Sequence, residues 1–185
     1  MNLVEMTQMV SVDVPTAPLM TVRDALAWAA RAFCTDADAW VVEGQPVVVA
    51  ANTDYPEVLS DEGEPLRILS LALEGGERRQ GEGFSQVSAT SIHFDRRPSE
   101  SVLYGSLACR PTVGEMPPAV VCDRWGEAFC DGARYRLLVM PQPWRDPDMA
   151  RHYRDNFERA KASARQLSSL GHGIGGACVK MRRFI

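Results

Sequence analysis

The chain has 185 residues and a mass of 20.4 kDa, a size that fits one domain or one domain with a large insertion. Its 45% hydrophobic and 24% charged residues exclude a disordered chain, a collagen and a coiled coil, and the lack of an 18-residue apolar run excludes a membrane-spanning segment. Five cysteines without a repeated short spacing favour reduced thiols in a cytoplasmic protein and argue against a structural zinc site.

Charge is divided unevenly along this chain, whose net charge is −4. Residues 1–64 hold two basic and eleven acidic residues, whereas residues 65–185 hold eighteen basic and thirteen acidic residues. Sixteen of those eighteen basic residues are arginines, whose side chain suits bidentate contacts with phosphate. The asymmetry indicates contact with nucleic acid or an acidic docking surface, and a merely well-solvated surface is the alternative.

The first fifty residues have the pattern of a strand, a helix and two further strands. Residues 3–14 alternate apolar and polar side chains and therefore predict a half-buried strand. Thr21, with Asp24 three residues later, is typical of a helix start, and an apolar stripe follows as far as Phe33. Residues 40–42 and 47–50 then predict a hairpin.

The middle of the chain is β-like and is interrupted by glycine and proline. The predicted elements are, in order, a loop at 52–65, a strand at 66–73, a surface loop at 74–83, a strand at 86–94, a turn at 95–98, its partner strand at 102–109, an irregular segment at 110–118 and a strand at 134–140. We expect one domain over residues 1–185, with residues 52–132 as an elaboration or insertion within it.

The C-terminal part has the clearest pattern, which is a helix, a glycine-rich loop and a strand. Asp146, Pro147 and Asp148 supply the cap, the first-turn proline and the first-turn acid of a helix that Gly171 is expected to end. Four glycines lie within residues 171–176, and residues 177–185 follow as a terminal strand. Phosphate-binding loops run from a strand into a helix, the opposite order, so these glycines are not a dinucleotide or P-loop motif.

This arrangement resembles the RAMP (repeat-associated mysterious protein) superfamily of CRISPR RNA-guided proteins. The similarity rests on the glycine-rich residues 170–179 before the last strand, on the first helix around residues 24–29, and on residues 134–141 before the late helix. The last two features are similar to the type IV subunit that caps the 5′ end of the CRISPR RNA. The resemblance implies an α+β, ferredoxin-like (RRM-like) β-α-β-β-α-β core with a large β-rich insertion, in which residues 3–14 and 177–184 pair near the sheet centre.

The resemblance further implies a non-catalytic RNA-binding subunit without metal or cofactor, which holds the 5′ end of a CRISPR RNA. Its other partners would be neighbouring subunits of the complex and, as a further candidate, target DNA. Glycines let the backbone pass close to a nucleic acid, and cations beside them or on loops contact phosphate. The expected RNA-binding residues are Gly171, His172, Gly173, Gly175, Gly176, Lys180, Arg182, Arg96, Arg97, Arg78 and Arg79.

Two other functions stay open at this point. A RAMP-type endoribonuclease that matures CRISPR RNA would use a histidine as general acid or base, and His172 is the best placed. A cysteine nucleophile would instead need Cys109 or Cys130 close to His93. The third hypothesis is an acidic protein-interaction module that binds no nucleic acid.

Overall fold

The computed structural model describes residues 1–49, 55–73, 76–79, 84–95 and 101–170, and every structural statement below concerns these residues. They form an α+β fold, as the sequence predicts. Two helices come first, seven antiparallel strands follow, and two helices end the described chain. The elements are α1 (Leu3–Asp13), α2 (Leu19–Ala37), β1 (Trp40–Glu43), β2 (Val47–Val49), β3 (Glu64–Leu73), β4 (Gly76–Arg79), β5 (Phe84–Gln86), β6 (Ile92–Phe94), β7 (Ser101–Arg110), α3 (Ala119–Val139) and α4 (Pro147–Leu170).

The strand predicted at residues 3–14 is wrong, because this segment forms α1. The Asn2 side chain accepts the backbone N–H of Glu5, and the Glu5 carboxylate accepts the backbone N–H of Asn2, both at 2.9 Å. This capping box fixes the helix start. Met6 and Val10, four residues apart, are fully buried, whereas Val12 is 78% exposed. An alternating pattern of this length contains a four-residue period as well, so alternation alone could not decide between strand and helix.

The start of α1 also overturns the predicted pairing of residues 3–14 with residues 177–184 at the sheet centre. The described order of two helices, seven strands and two helices differs from the β-α-β-β-α-β core. The helix expected from Thr21 is confirmed and begins two residues earlier, after Pro18, without a side-chain cap. Residues 177–184 lie outside the described residues, and the division at 52–132 stays a prediction.

β7 is the central strand of the larger sheet. β1 and β2 pair with successive parts of one edge of β7, and β3 pairs with its other edge and with β4. Residues 40–42 and the described part of residues 47–50 therefore form strands as predicted, but the two strands do not pair with each other as a hairpin. Gly44 bridges the step between them, since its N–H donates to the carbonyl of Gly105 at 2.7 Å and an added Cβ would lie 2.5 Å from the Val58 side chain.

The middle of the chain confirms some strands and corrects others. The strands predicted at 66–73 and 102–109 are confirmed as β3 and β7, and residues 111–118 contain no helix or strand. The segment 86–94 is not one strand paired with β7. Instead β5 and β6 form a separate two-stranded sheet. Arg78 and Arg79 lie on β4, opposite β3, and not in a surface loop, because this segment continues the sheet by one strand.

The strand predicted at residues 134–140 is wrong as well, because these residues belong to the last turns of α3 and the residue after it. Buried residues recur along α3 at helical spacing, namely Cys122, Gly126, Phe129, Ala133 and Leu137. Gly132 lies where α2, α3 and α4 meet. An added Cβ there would lie 2.7 Å from the Phe157 ring and 2.9 Å from Ala29, so a side chain would push the three helices apart.

The predicted start of α4 is confirmed. The Asp146 carboxylate accepts the backbone N–H groups of Asp148 and Met149, both at 3.1 Å. The four helices pack on one another, and α2 also contacts β7, so the core lies between a helical layer and the sheet. Among the residues described, no helix combines the length and the apolar character that a bilayer span requires.

Candidate anion-binding site

Most of the residues expected to bind RNA lie outside the described part of the chain. These are Arg96, Arg97, Gly171, His172, Gly173, Gly175, Gly176, Lys180 and Arg182. The predicted end of the last helix at Gly171, the predicted strand after the glycine-rich segment and the predicted turn around Arg96 therefore stay predictions. Arg78 and Arg79 are register partners of Leu71 and Ser70 on β3, which places them on the outer strand of the sheet.

The uneven charge distribution has a structural cause. Acidic residues of the first 64 positions form ion pairs with basic residues of the later chain. These four long-range ion pairs join Asp13 to Arg134 at 2.7 Å, Asp36 to Lys161 at 2.8 Å, Asp38 to Arg67 at 2.6 Å and Glu64 to Arg110 at 3.0 Å. They connect α1 with α3, α2 with α4, and the strands with each other and with α2. Four of the eleven acidic residues in positions 1–64 are therefore paired with cations of the later chain within the fold.

Lys161 is the most buried of these cations, with only 6% of its surface exposed. Its Nζ lies 2.8 Å from Asp36 and 2.6 Å from Glu158, and 4.9 Å from the centre of the Phe157 ring. Burial lowers the pKa of Lys161, but the hydrogen bonds to the two carboxylates outweigh it, so the pKa is raised above its usual value. Lys161 therefore stays charged and is fully committed to contacts within the protein.

Glu64, at the start of β3, is bound by two arginines, just as Lys161 is bound by two carboxylates. Its carboxylate accepts hydrogen bonds from Arg31 at 2.7 Å and from Arg110 at 3.0 Å. The hydrogen bond from Arg31, followed by that from Arg110, lowers the pKa of Glu64 below its usual value. Both arginines are therefore bound to a carboxylate that stays ionised.

A different group of arginines lines a cavity of about 230 Å³ between the end of α3 and the start of α4. We call this cavity the arginine cleft. Arg145, in the connection between the helices, and Arg151 and Arg154, on the first turns of α4, line it together with the ring of Tyr135. The remaining wall is apolar: Val139, Pro147 and Ala150. The cleft thus combines three guanidinium groups with an aromatic and an apolar surface.

The arginines of the cleft differ from those of the long-range ion pairs in their partners. Neither Arg145 nor Arg154 has a side-chain hydrogen bond or ion pair with any residue the structure describes, and both are exposed. Arg151 reaches Asp148 at 3.4 Å, but these side chains are 71% and 90% exposed, so water weakens the pair. The first amides of α4 are occupied by Asp146 and contribute no free donors. The cleft can therefore bind an anion through its guanidinium groups.

No contact in the described part of the chain joins His93 to Cys109 or Cys130, and His172 lies outside that part. Burial raises the pKa of the Cys109 and Cys130 thiols to about 11 each, which leaves little nucleophilic thiolate near neutral pH. His93 lies on β6, with its ring 5.6 Å from the Tyr55 ring, whereas Cys130 Sγ faces the carbonyl of Met6. Within the described ranges, no group of three histidine, cysteine, aspartate or glutamate residues could hold a metal ion.

Sequence reasoning missed the arginine cleft because it favoured arginines adjacent in the sequence. Arg151 and Arg154 are three residues apart on a helix, a spacing that places them on one face. This spacing is the sequence feature that could have indicated the arginine cleft. Arg145 joins them only through the turn between α3 and α4. A comparison with protein-family models and a comparison with curated proteins both give no match to this chain.

Proposed function

We propose that the chain binds RNA without cleaving it, as a subunit of a larger complex, and that the arginine cleft contacts RNA phosphates. The observation that carries this proposal is that Arg145 and Arg154 converge on one cavity without an acidic partner among the described residues. Guanidinium groups bind phosphate oxygens in bidentate geometry, and the neighbouring ring of Tyr135 offers a surface for a base or ribose.

The narrower assignment, to the RAMP family and a CRISPR RNA-guided complex, rests on the glycine-rich residues 170–179. The ferredoxin-like core belongs to this narrower assignment. It receives no support from the N-terminal half, where α1 replaces the first strand. The glycine-rich segment is therefore the sole basis on which we propose the 5′ end of a CRISPR RNA as the ligand and neighbouring subunits as partners.

The direct test is the affinity for a fluorescently labelled single-stranded RNA, followed by anisotropy across a salt series. Each phosphate contact on a single strand adds about 0.7 to the slope of log affinity against log salt. Arg145→Ala/Arg154→Ala should therefore weaken binding about tenfold at moderate salt and lower the slope by about 1.4. The matched control is Arg23→Ala/Arg159→Ala, which removes the same charge from exposed positions outside the cleft.

The result has three distinguishable outcomes. A selective loss in the cleft variant supports the proposal. An equal loss in both double variants would mean that only overall charge matters, and would contradict a defined cleft. No salt-dependent binding by the wild-type chain would favour the acidic protein-interaction module. RNA sequencing of material that copurifies with the untagged protein tests the narrower assignment, since CRISPR repeat sequences should then be enriched.

The same preparation distinguishes the endoribonuclease alternative. We expect wild-type protein to leave repeat RNA intact and His172→Ala to alter assembly of the complex only modestly. A general acid or base contributes about 100-fold or more to the rate, so its removal is easily measured. Specific cleavage by the wild type that disappears in His172→Ala, with binding unchanged, would replace the non-catalytic proposal.

A further inference from the structure

A second cavity, of about 440 Å³, lies at the other end of α4. It is bounded by β1, the first turns of α3 and the last turns of α4, and its wall includes Trp40, Val41, Trp125 and Leu167. Since α4 has 24 residues, it is about 36 Å long, and the two cavities are well separated. This cavity, which we call the β1 cavity, is larger than the arginine cleft.

The β1 cavity reaches around a sheet edge. β1 pairs only with β7 among the described strands, so the hydrogen-bonding groups along its other edge have no strand partner there. Successive residues of a strand point to opposite faces of a sheet. Trp40 and Val41 are successive and both line the cavity, which therefore passes along the free edge of β1. A free edge beside a cavity with apolar side chains in its wall is an arrangement to which an added strand binds.

The position and composition of the following chain identify an occupant. Leu167 and Ser168, in the last turn of α4, line the β1 cavity, so the helix ends beside it at Leu170. Fifteen extended residues can reach about 50 Å, far more than this connection needs. Within residues 177–185, Val179 and Met181 alternate with Lys180 and Arg182 as in a strand, and the segment holds three cations. Of the charged residues in the cavity wall, Glu62 supplies an opposite charge, whereas Asp38 is bound to Arg67 and Arg124 is itself a cation.

We propose that residues 177–185 of the same chain bind as a strand along the free edge of β1 and place apolar side chains in the β1 cavity. The four glycines at positions 171–176 allow the chain to reverse between the end of α4 and this strand. The added strand covers the edge of the sheet and the exposed walls around Trp125. The inference does not depend on RNA binding.

Disulfide trapping in the full chain tests this position, because Cys178 lies in the proposed strand. Val120 is 74% exposed and lines the β1 cavity, so Val120→Cys places a thiol within reach. The thiols of Cys34, Cys109, Cys122 and Cys130 are buried and compete poorly. Under mild oxidation we expect an intramolecular disulfide with Cys178, forming at least tenfold faster than in the control Val12→Cys, which is equally exposed but lies on α1.

Hydrogen exchange provides the second measurement. In the full chain, Val179→Asp/Met181→Asp should speed exchange of the Trp40–Glu43 amides about tenfold, because an opened edge loses its protection. The control Val12→Asp should leave these amides unchanged. An intermolecular disulfide would show that a second copy covers the edge and would overturn the proposal. Equal disulfide rates at both positions, together with unchanged exchange in β1, would also overturn it.

Discussion

The two ends of α4 use basic side chains in opposite ways. Towards its C-terminal end, Lys161 is buried against Asp36, and Arg165 donates to the Asp36 carbonyl at 2.7 Å, so both cations hold α4 to α2. At its N-terminal end, Arg154 and the preceding Arg145 have no such partner among the described residues. The contrast shows that the number of basic residues in a region does not identify an anion site. The pairing of each cation does.

The first set, the paired cations such as Lys161, contributes free energy to folding. The second set, the unpaired arginines of the cleft, contributes free energy to ligand binding. Residues 36 and 161 are 125 positions apart, so their contact forms only on folding and contributes to the stability of the native state. An exposed guanidinium without a partner stays hydrated, contributes little to folding, and is available when a phosphate arrives. Substitutions in the first set should therefore change stability, and substitutions in the second should change ligand binding.

The largest stability effect is expected at Lys161. Lys161→Met keeps most of the side-chain volume but leaves Asp36 and Glu158 without their cation. We expect a loss of about 2 kcal/mol in the free energy of unfolding, below the 3–5 kcal/mol of a fully buried pair because both carboxylates are partly exposed. Urea denaturation measures it, with the exposed Arg151→Met on the same helix as the control, for which about 0.5 kcal/mol or less is expected.

The pH dependence of this difference adds a check. The pKa of Lys161 is raised in the folded protein, so its stabilisation is fully present below the usual lysine value of 10.5. It is lost as the pH rises beyond that value and the folded-state group deprotonates. The gap between wild type and Lys161→Met should therefore be constant near neutral pH and narrow only in strong alkali. A gap that is absent at pH 7 would contradict the assigned role.

A smaller effect is expected for Asp38, which binds Arg67 through both carboxylate oxygens, at 2.6 to 3.1 Å. Asp38 ends α2 with φ 48°, a left-handed conformation that Asn tolerates and Ala does not. Asp38→Asn removes the charge without backbone strain and should cost about 0.5–1 kcal/mol. A double-mutant cycle with Arg67→Gln isolates the pair, and a coupling energy near zero would contradict it.

The sequence predicted those elements whose signals are local. α2 and α4 are long and strongly periodic, and the cap at Asp146 is a short-range contact, so these helices were found close to their observed starts. β3 and β7 are long apolar strands between clear turns. The predicted strand at α1 is wrong although Asn2 and Glu5 carry the spacing of a capping box. That signal was present and outweighed by an alternating pattern that fits both structures.

Other features could not be read locally because they depend on tertiary partners. β1 and β2 look like a hairpin, but both pair with β7, some sixty residues later. α3 contains two glycines and alternating residues near its end, and its packing as a helix depends on Gly132 fitting against α2 and α4 and on Gly126 fitting against Met1 and Met6. The arginine cleft depends on the same helical packing, which brings Arg145 beside Arg154. Neighbouring arginine pairs in the sequence carried no such information.

The ion pairs of Glu64 with Arg31 and Arg110 can be tested at acidic pH. Glu64→Gln removes the charge that holds Arg31 and Arg110, so it should lower the thermal midpoint at pH 7. The pKa of Glu64 is lowered in the folded protein, so its stabilisation is present above the usual value of 4.5 and is lost as the pH falls further. Thermal denaturation of both proteins should therefore converge in strong acid. A difference that grows with acidification would contradict this interpretation.

The smallest stability effect is expected where the chain is proposed to bind its ligand. Arg145→Ala/Arg154→Ala removes no described contact, so the free energy of unfolding in low salt should change by about 0.5 kcal/mol or less. Inorganic phosphate distinguishes an empty site from a plain surface, because an anion that binds only the folded state raises the thermal midpoint with concentration. We expect phosphate to stabilise the wild type more than the double variant, whereas Lys161→Met should keep the full phosphate response. If phosphate stabilises the double variant as much as the wild type, the cations of the cleft are merely solvated, and the contrast between the two ends of α4 reflects folding alone.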